Sequence, residues 1–141
     1  MFREICTLIS TLTGFPIGGK LQAGRWAQDK PQRCVLVQEG GGVPTFYPNG
    51  DMVDMAIQVL CRAEKQSEAR EDAWVAFDAL HATSGWNLPR IDGSGPDYLA
   101  MTVEALSAPQ YLGEDDNRRH LYSVNFIFRM EEGSCFESSS L

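Results

Sequence analysis

Leu121-Tyr122-Ser123-Val124-Asn125-Phe126-Ile127-Phe128-Arg129-Met130 is the stretch that decides the fold. Tyr122, Val124, Phe126, Phe128 and Met130 fall on one side of an extended chain, and Ser123, Asn125, Ile127 and Arg129 on the other. Side chains alternate across a strand with a period of two, so one face is buried and the other is wet or meets a partner. A register slip of one residue would bury Asn125 and Arg129 and expose the rings of Tyr122, Phe126 and Phe128, so the pairing is strongly specified. The mostly apolar run Tyr98 to Leu106 supplies the neighbouring strand. Between the arms lies the charged loop Gly113-Glu114-Asp115-Asp116-Asn117-Arg118-Arg119.

The rest of the chain has to cover that apolar face. Ile5, Leu8, Ile9 and Leu12 recur at helical spacing, which predicts an amphipathic N-terminal helix over 1–14, ended by Gly14 and Pro16. Thr7, Thr11 and Thr13 favour a strand over the same residues, and the helical spacing is preferred. Residues 15–31 read as extended loop, anchored by Leu21 and Trp26. A short strand, 33–38, stops at Gly40-Gly41-Gly42, and Val43 to Asp51 must turn. A second strand, Met55 to Arg62, puts Ile57, Val59 and Cys61 on one face and Gln58, Leu60 and Arg62 on the other.

Ser67 reads as the N-cap of a second helix with Glu68, Glu71 and Asp72 near its start; the helix runs to Ala82 or Thr83, before Gly85. Ala73, Trp74, Phe77 and Leu80 form its apolar face, with Phe77→Ala expected to cost about 3–5 kcal/mol. A strand at 86–91 and a turn at Asp92-Gly93-Ser94-Gly95-Pro96 lead into the hairpin, and 131–141 forms a polar, mobile tail. Strands and helices are segregated, without internal repeats. The expected fold is therefore a single α+β domain over 1–141, with two layers: a mainly antiparallel sheet packed by one central helix, plus the N-terminal helix.

With 141 residues, 43% of them hydrophobic and 22% charged, the composition is that of an ordinary globular protein. A net charge of −7 argues against a surface that neutralises nucleic-acid phosphates. There is no apolar run of about eighteen residues and no signal-peptide pattern, so a cytoplasm-like compartment is expected. Cys6, Cys34, Cys61 and Cys135 lack paired spacing and read as reduced, small hydrophobes.

Few residues suggest chemistry. Gly14-Phe15-Pro16-Ile17-Gly18-Gly19-Lys20 formally matches a phosphate-binding loop, but Leu21 stands where a magnesium-binding hydroxyl belongs and Pro16 removes a backbone N–H. Gly40-Gly41-Gly42 reads as a turn. His81 and His120 have no metal-ligand spacing, and Glu114-Asp115-Asp116 lacks the spacing of a calcium loop. No nucleophile elbow or comparable signature marks a catalytic Ser or Cys. What remains is surface: the loop 113–119 and the outward residues Ser123, Asn125, Ile127 and Arg129 are either a plain solvated hairpin or a place where identical subunits meet head to tail.

Four stretches, taken in order, carry a family resemblance. They are Gln32-Arg33-Cys34-Val35-Leu36-Val37 before Gly40-Gly41-Gly42, then Ile57-Gln58-Val59-Leu60-Cys61-Arg62, then the helix from Ala69 to His81, then Ala108 to Phe126 with its Pro109, Leu112-Gly113-Glu114-Asp115 turn, Arg118-Arg119 and Asn125. Together they resemble the phage minor capsid or tail terminator family. Ala63 departs from the Gly usual after the strand arginine, and the tail from Glu131 has no counterpart.

The resemblance implies a structural virion protein of the tail or neck, made in the host cytoplasm, with no enzyme activity, no cofactor, no bound metal and no membrane contact. It implies a ring, commonly a hexamer, that caps the head-proximal end of the tail tube, ends tube polymerisation and offers a docking surface to head-completion proteins. Its partners would be itself, the tail tube protein and the neck, with DNA only passing through an acidic lumen. Glu114, Asp115, Asp116, Arg118, Arg119, Ser123, Asn125, Ile127 and Arg129 are the expected subunit or tube interface, and reversing Arg118 and Arg119 to Glu is expected to give monomers. Another neck component, a stopper or connector, is an alternative reading. A small enzyme or nucleotide-binding domain built on 14–20, with ATP binding dependent on Lys20, is a further one.

Overall fold

The computed structural model describes residues 2–26, 33–40, 52–91, 93 and 97–132. The turn at 43–51, most of 92–96, and the tail and Cys135 beyond 132 lie outside them. The elements run α1 (Phe2–Thr13), β1 (Leu21–Ala23), β2 (Cys34–Glu39), β3 (Met52–Ala63), α2 (Gln66–Leu80), β4 (Thr83–Leu88), β5 (Tyr98–Ala105), β6 (Gln110–Glu114) and β7 (His120–Glu132). This is the α+β fold the patterning predicts.

The sheet has seven strands in the order β1-β2-β3-β7-β5-β4, with β6 paired to β7 off that path. Every pairing is antiparallel except β1 with β2. β7 is its spine. β3 pairs along 120–131, while the other edge is shared by β5 over 126–132 and β6 over 120–123. The hairpin is therefore not two continuous arms: its first arm breaks after Ala105 and resumes at Gln110, bridged by Leu106 N–H donating to Asn125 O at 2.8 Å.

Directly paired residues share a face, so the register sorts the side chains. Val35 and Val37 align with Cys61 and Val59, which align with Tyr122 and Val124; Ile57 aligns with Phe126. All of these are buried, and with them Phe128, Met130, Ala100 and Val103. Ile5 and Ile9 of α1 and Ala69, Ala73, Ala76 and Leu80 of α2 are buried with them in one core. The alanines recur along one stripe of α2, and small side chains there let the helix axis sit close to the strands.

Several expectations are corrected. Residues 15–31 contain a strand, β1, which exists because β2 offers it a parallel edge. The N-cap of α2 is Lys65 and makes no side-chain cap bond, so Ser67 lies inside the helix. α2 ends at Leu80; Ala82 turns the chain with φ +60°, and Gly85, φ +75°, lies within β4 rather than stopping the helix. β4 accordingly spans 83–88, not 86–91. Trp74 and Phe77 are half-buried at the margin of α2, where Phe77 stacks on His81 at 4.7 Å, so Phe77→Ala costs less than a full core truncation. β7 continues to Glu132, so the polar tail begins later than residue 131.

Candidate functional site

The hairpin tip is built by one carboxylate. Asp115 Oδ1 accepts the backbone N–H groups of Asn117 and Arg119, each at 2.9 Å, and Oδ2 accepts Arg119 Nε at 2.9 Å. An aspartate that bonds N–H groups two and four residues on holds a tight turn. Arg118 N–H donates to Asp115 O at 3.0 Å, and Asp115 N–H to Arg119 O at 2.9 Å. Arg118 takes the left-handed position, φ +60°, where glycine is usual. Against the desolvation that would raise it, these N–H donors and the Arg119 charge hold the Asp115 carboxyl below the ordinary aspartate value.

The charges of the tip thus divide into two sets. Asp115 and Arg119 are turned inward on each other, with 22% and 17% of their side chains exposed. Asp116 and Arg118 are exposed, as is Glu114, whose Oε1 lies 3.6 Å from His120 Nε2. Behind Glu114, Tyr111 Oη and His120 Nδ1 share a 2.7 Å hydrogen bond, and the Tyr111 ring tilts against Tyr122 at 5.2 Å.

Ser123, Asn125, Ile127 and Arg129 lie on the face of β7 opposite the core, in register with Leu60, Gln58, Ala56 and Asp54 of β3. They are not equally open. Ser123 is buried at 2% exposure, Asn125 and Ile127 are half-buried, and Arg129 is exposed with its Nε 3.3 Å from Asp54 Oδ1. Gln38 Nε2 donates to Gln58 Oε1 at 2.6 Å beside Asn125. A shallow cavity of about 340 Å³ opens here, lined by Gly40, Ala56, Gln58, Leu106 and Asn125 among others. Leu36, Leu60, Leu121 and Ile127 give this face an apolar stripe between the polar positions. Arg62, also on it, is buried, bonds Cys34 Sγ at 3.0 Å and lies 4.1 Å from the Trp26 ring, which makes Trp26 the anchor its loop required.

The Gly14–Lys20 loop is folded on itself. Gly19 and Leu21 N–H groups both donate to Pro16 O, and Gly18 N–H to Leu21 O. Lys20 Nζ is 2.8 Å from Asp72 Oδ1 and 4.3 Å from the Phe15 ring centroid. These N–H groups and the Lys20 ammonium, which a phosphate would require, are engaged within the protomer. Among the described residues no group of three or more His, Cys, Asp or Glu side chains is placed to hold a metal ion.

What decides the family is the chain between β2 and β7. A family model described as bacteriophage tail terminator protein matches residues 27–132. The chain belongs to that family. No curated protein matches it significantly. Tail terminators form a structural protein family of the phage virion, and the match spans the sheet from β2 onward, α2, and the whole β6–β7 hairpin. Among the described residues of this tail terminator family member, no helix is long and apolar enough to cross a membrane.

Two features of this tail terminator surface escape a reading of its sequence. β6 has no alternating pattern, and Gln110, Tyr111, Leu112 and Glu114 are all exposed; only its pairing with 120–123 reveals it as a strand. The Asp115–Arg119 pair was visible as two charges, but a turn with arginine rather than glycine in the left-handed position gives no composition signal.

Proposed function

We propose that this chain forms a ring at the head-proximal end of a phage tail tube, where it ends tube polymerisation and presents a docking surface to the head and neck proteins. Membership of the terminator family supports this reading. The observation that carries it furthest is the division of the sheet. One face is packed under α1 and α2, while on the other Asn125, Ile127, Gln58 and Arg129 stand open or half-open beside a shallow cavity. A half-polar sheet face with an apolar stripe is suited to recognising a protein surface rather than transforming a small molecule.

The ring is a hexamer, Glu114, Asp116 and Arg118 with Asn125, Ile127 and Arg129 lie at a subunit or tube contact, and the chain catalyses no reaction. The net charge of −7 supports a lumen that repels DNA and lets it slide. Tail tube protein polymerised with the purified chain should give short tubes carrying a cap at one end in electron micrographs. Tubes of unchanged length with bare ends would refute the proposal.

A further inference from the structure

Resting on that ring reading, we propose that the subunits join head to tail by seating Leu112 of one copy in the groove between α1 and β4 of the next. A ring requires two different surfaces on one protomer, so that each subunit both donates and receives a contact.

The donor is the β6 arm. Half of the exposed large hydrophobic side chains among the described residues lie on it or at its approach: Leu106 at 66%, Leu112 at 52% and Tyr111 at 43% exposure. Among the described residues β6 pairs with β7 alone, leaving its other edge open, and unpaired strand edges are recruiting surfaces. The acceptor is a groove of about 250 Å³ between α1 and the outermost strand, lined by Thr7, Leu8, Thr11, Leu12, Trp86 and Leu88. Its lining is mainly apolar, and it has room for an aliphatic side chain.

The two surfaces lie at opposite ends of β7. β6 pairs at 120–123, whereas Trp86 aligns with Ala100, and Ala100 with Met130. That separation of seven residues or more, about 25 Å along a strand, prevents one hairpin from reaching its own groove. It also suits a contact that passes from copy to copy. The charges match. Leu112 is followed by exposed Glu114 and Asp116, while the groove is flanked by exposed Arg3, one turn before Thr7, and by Arg90, stacked 4.4 Å over Tyr98. Glu4, in the groove wall, is occupied in accepting Ile91 N–H at 3.0 Å.

Leu112→Asp removes the knob and Thr11→Trp fills the groove; both positions are exposed, so the fold is retained and circular dichroism checks it. Each variant alone should lose the ring mass in light scattering. An equimolar mixture should recover a complex of two subunits, because each supplies the surface the other lacks. In a Cys135→Ser background, Leu112→Cys with Thr11→Cys should cross-link oxidatively into a ladder ending in a closed ring, in solution or on tail tubes. Wild-type rings that survive both substitutions and give no ladder would overturn this contact and leave the ring reading standing. A chain monomeric in solution and on tubes alike would overturn the ring reading itself.

Discussion

Asp72, with 2% of its side chain exposed, receives Lys20 Nζ at 2.8 Å and the Arg33 guanidinium at 3.0 and 3.1 Å. These contacts tie α2 to the loop before β1 and to the start of β2, across 52 and 39 residues of chain. Removing one partner of a buried pair costs about 3–5 kcal/mol, because the remaining charge is left uncompensated. Lys20 and Arg33 retain 27% and 35% exposure, so solvent recovers part of that loss. Asp72→Ala should therefore destabilise by about 2 kcal/mol in urea unfolding. An unchanged midpoint would show that the cluster is ornamental.

The core gives a ranking. Phe126 is fully buried on the central strand, so Phe126→Ala should cost about 3–5 kcal/mol. Phe77, half-buried at the edge of α2, should cost about 1–2 kcal/mol. Denaturant unfolding of the two variants side by side tests the order, and equal losses would contradict the packing described.

The hairpin tip has a pH signature. The carboxyl of Asp115 titrates below its ordinary value of 3.8 in the folded chain, so the unfolded chain binds its proton first as the pH falls. Its stabilising contribution is complete above pH 3.8 and is lost on acidification through the lower folded value. Carbonyl NMR of the side chain should show that depressed midpoint, and Arg119→Gln should move it upward. Asp115→Ala should cost about 1 kcal/mol, a net hydrogen bond at a partly wet site.

Interface tests must respect the same pair. Arg119→Glu would set two carboxylates against each other and disorder the tip, whereas Arg118 is exposed and holds the turn through its backbone N–H. Arg118→Glu alone is the cleaner charge reversal: with the fold intact it should leave the ring mass unchanged or raised where the acids of the tip meet the Arg3 and Arg90 flank, and lower it where Arg118 itself sits at the subunit or tube contact. Loss of the folded signal along with the ring would show that Arg118 acts through the turn instead.

The thiols should be silent. Burial pushes Cys6 up to about 12 and raises Cys61; it raises Cys34 too, against the opposing charge of Arg62. A Cys135→Ser variant should not react with a thiol reagent at pH 8 until it is unfolded. Rapid labelling of the native variant would mean that the α1–sheet packing opens readily.

Much of this was legible in the residues. Alternation in 121–130 assigned the buried side of β7, alternation in 55–62 separated the two faces of β3, and helical spacing grouped Ile5 with Ile9, both buried. These are local signals, because a strand or helix repeats its own period whatever lies beside it. The candidate contact surface was only half legible. Ser123 alternates like an outward residue yet is buried, flanked in register by Leu60 and Gln110. The strand β6 was hidden because its residues are exposed and its formation depends on the vacant edge of β7.

Residue patterning alone settled the inward side of β7, the division of α1 and β3 into two faces, the class of fold and, through an ordered set of motifs, the family. Only the tertiary structure decided which strands are neighbours, that Lys20 and Arg33 converge on Asp72, and that the exposed β6 arm and the α1–β4 groove lie at opposite ends of one strand. The reason is physical: periodicity records how one segment meets an interface, whereas pairings between distant segments are fixed by the packing of the whole chain.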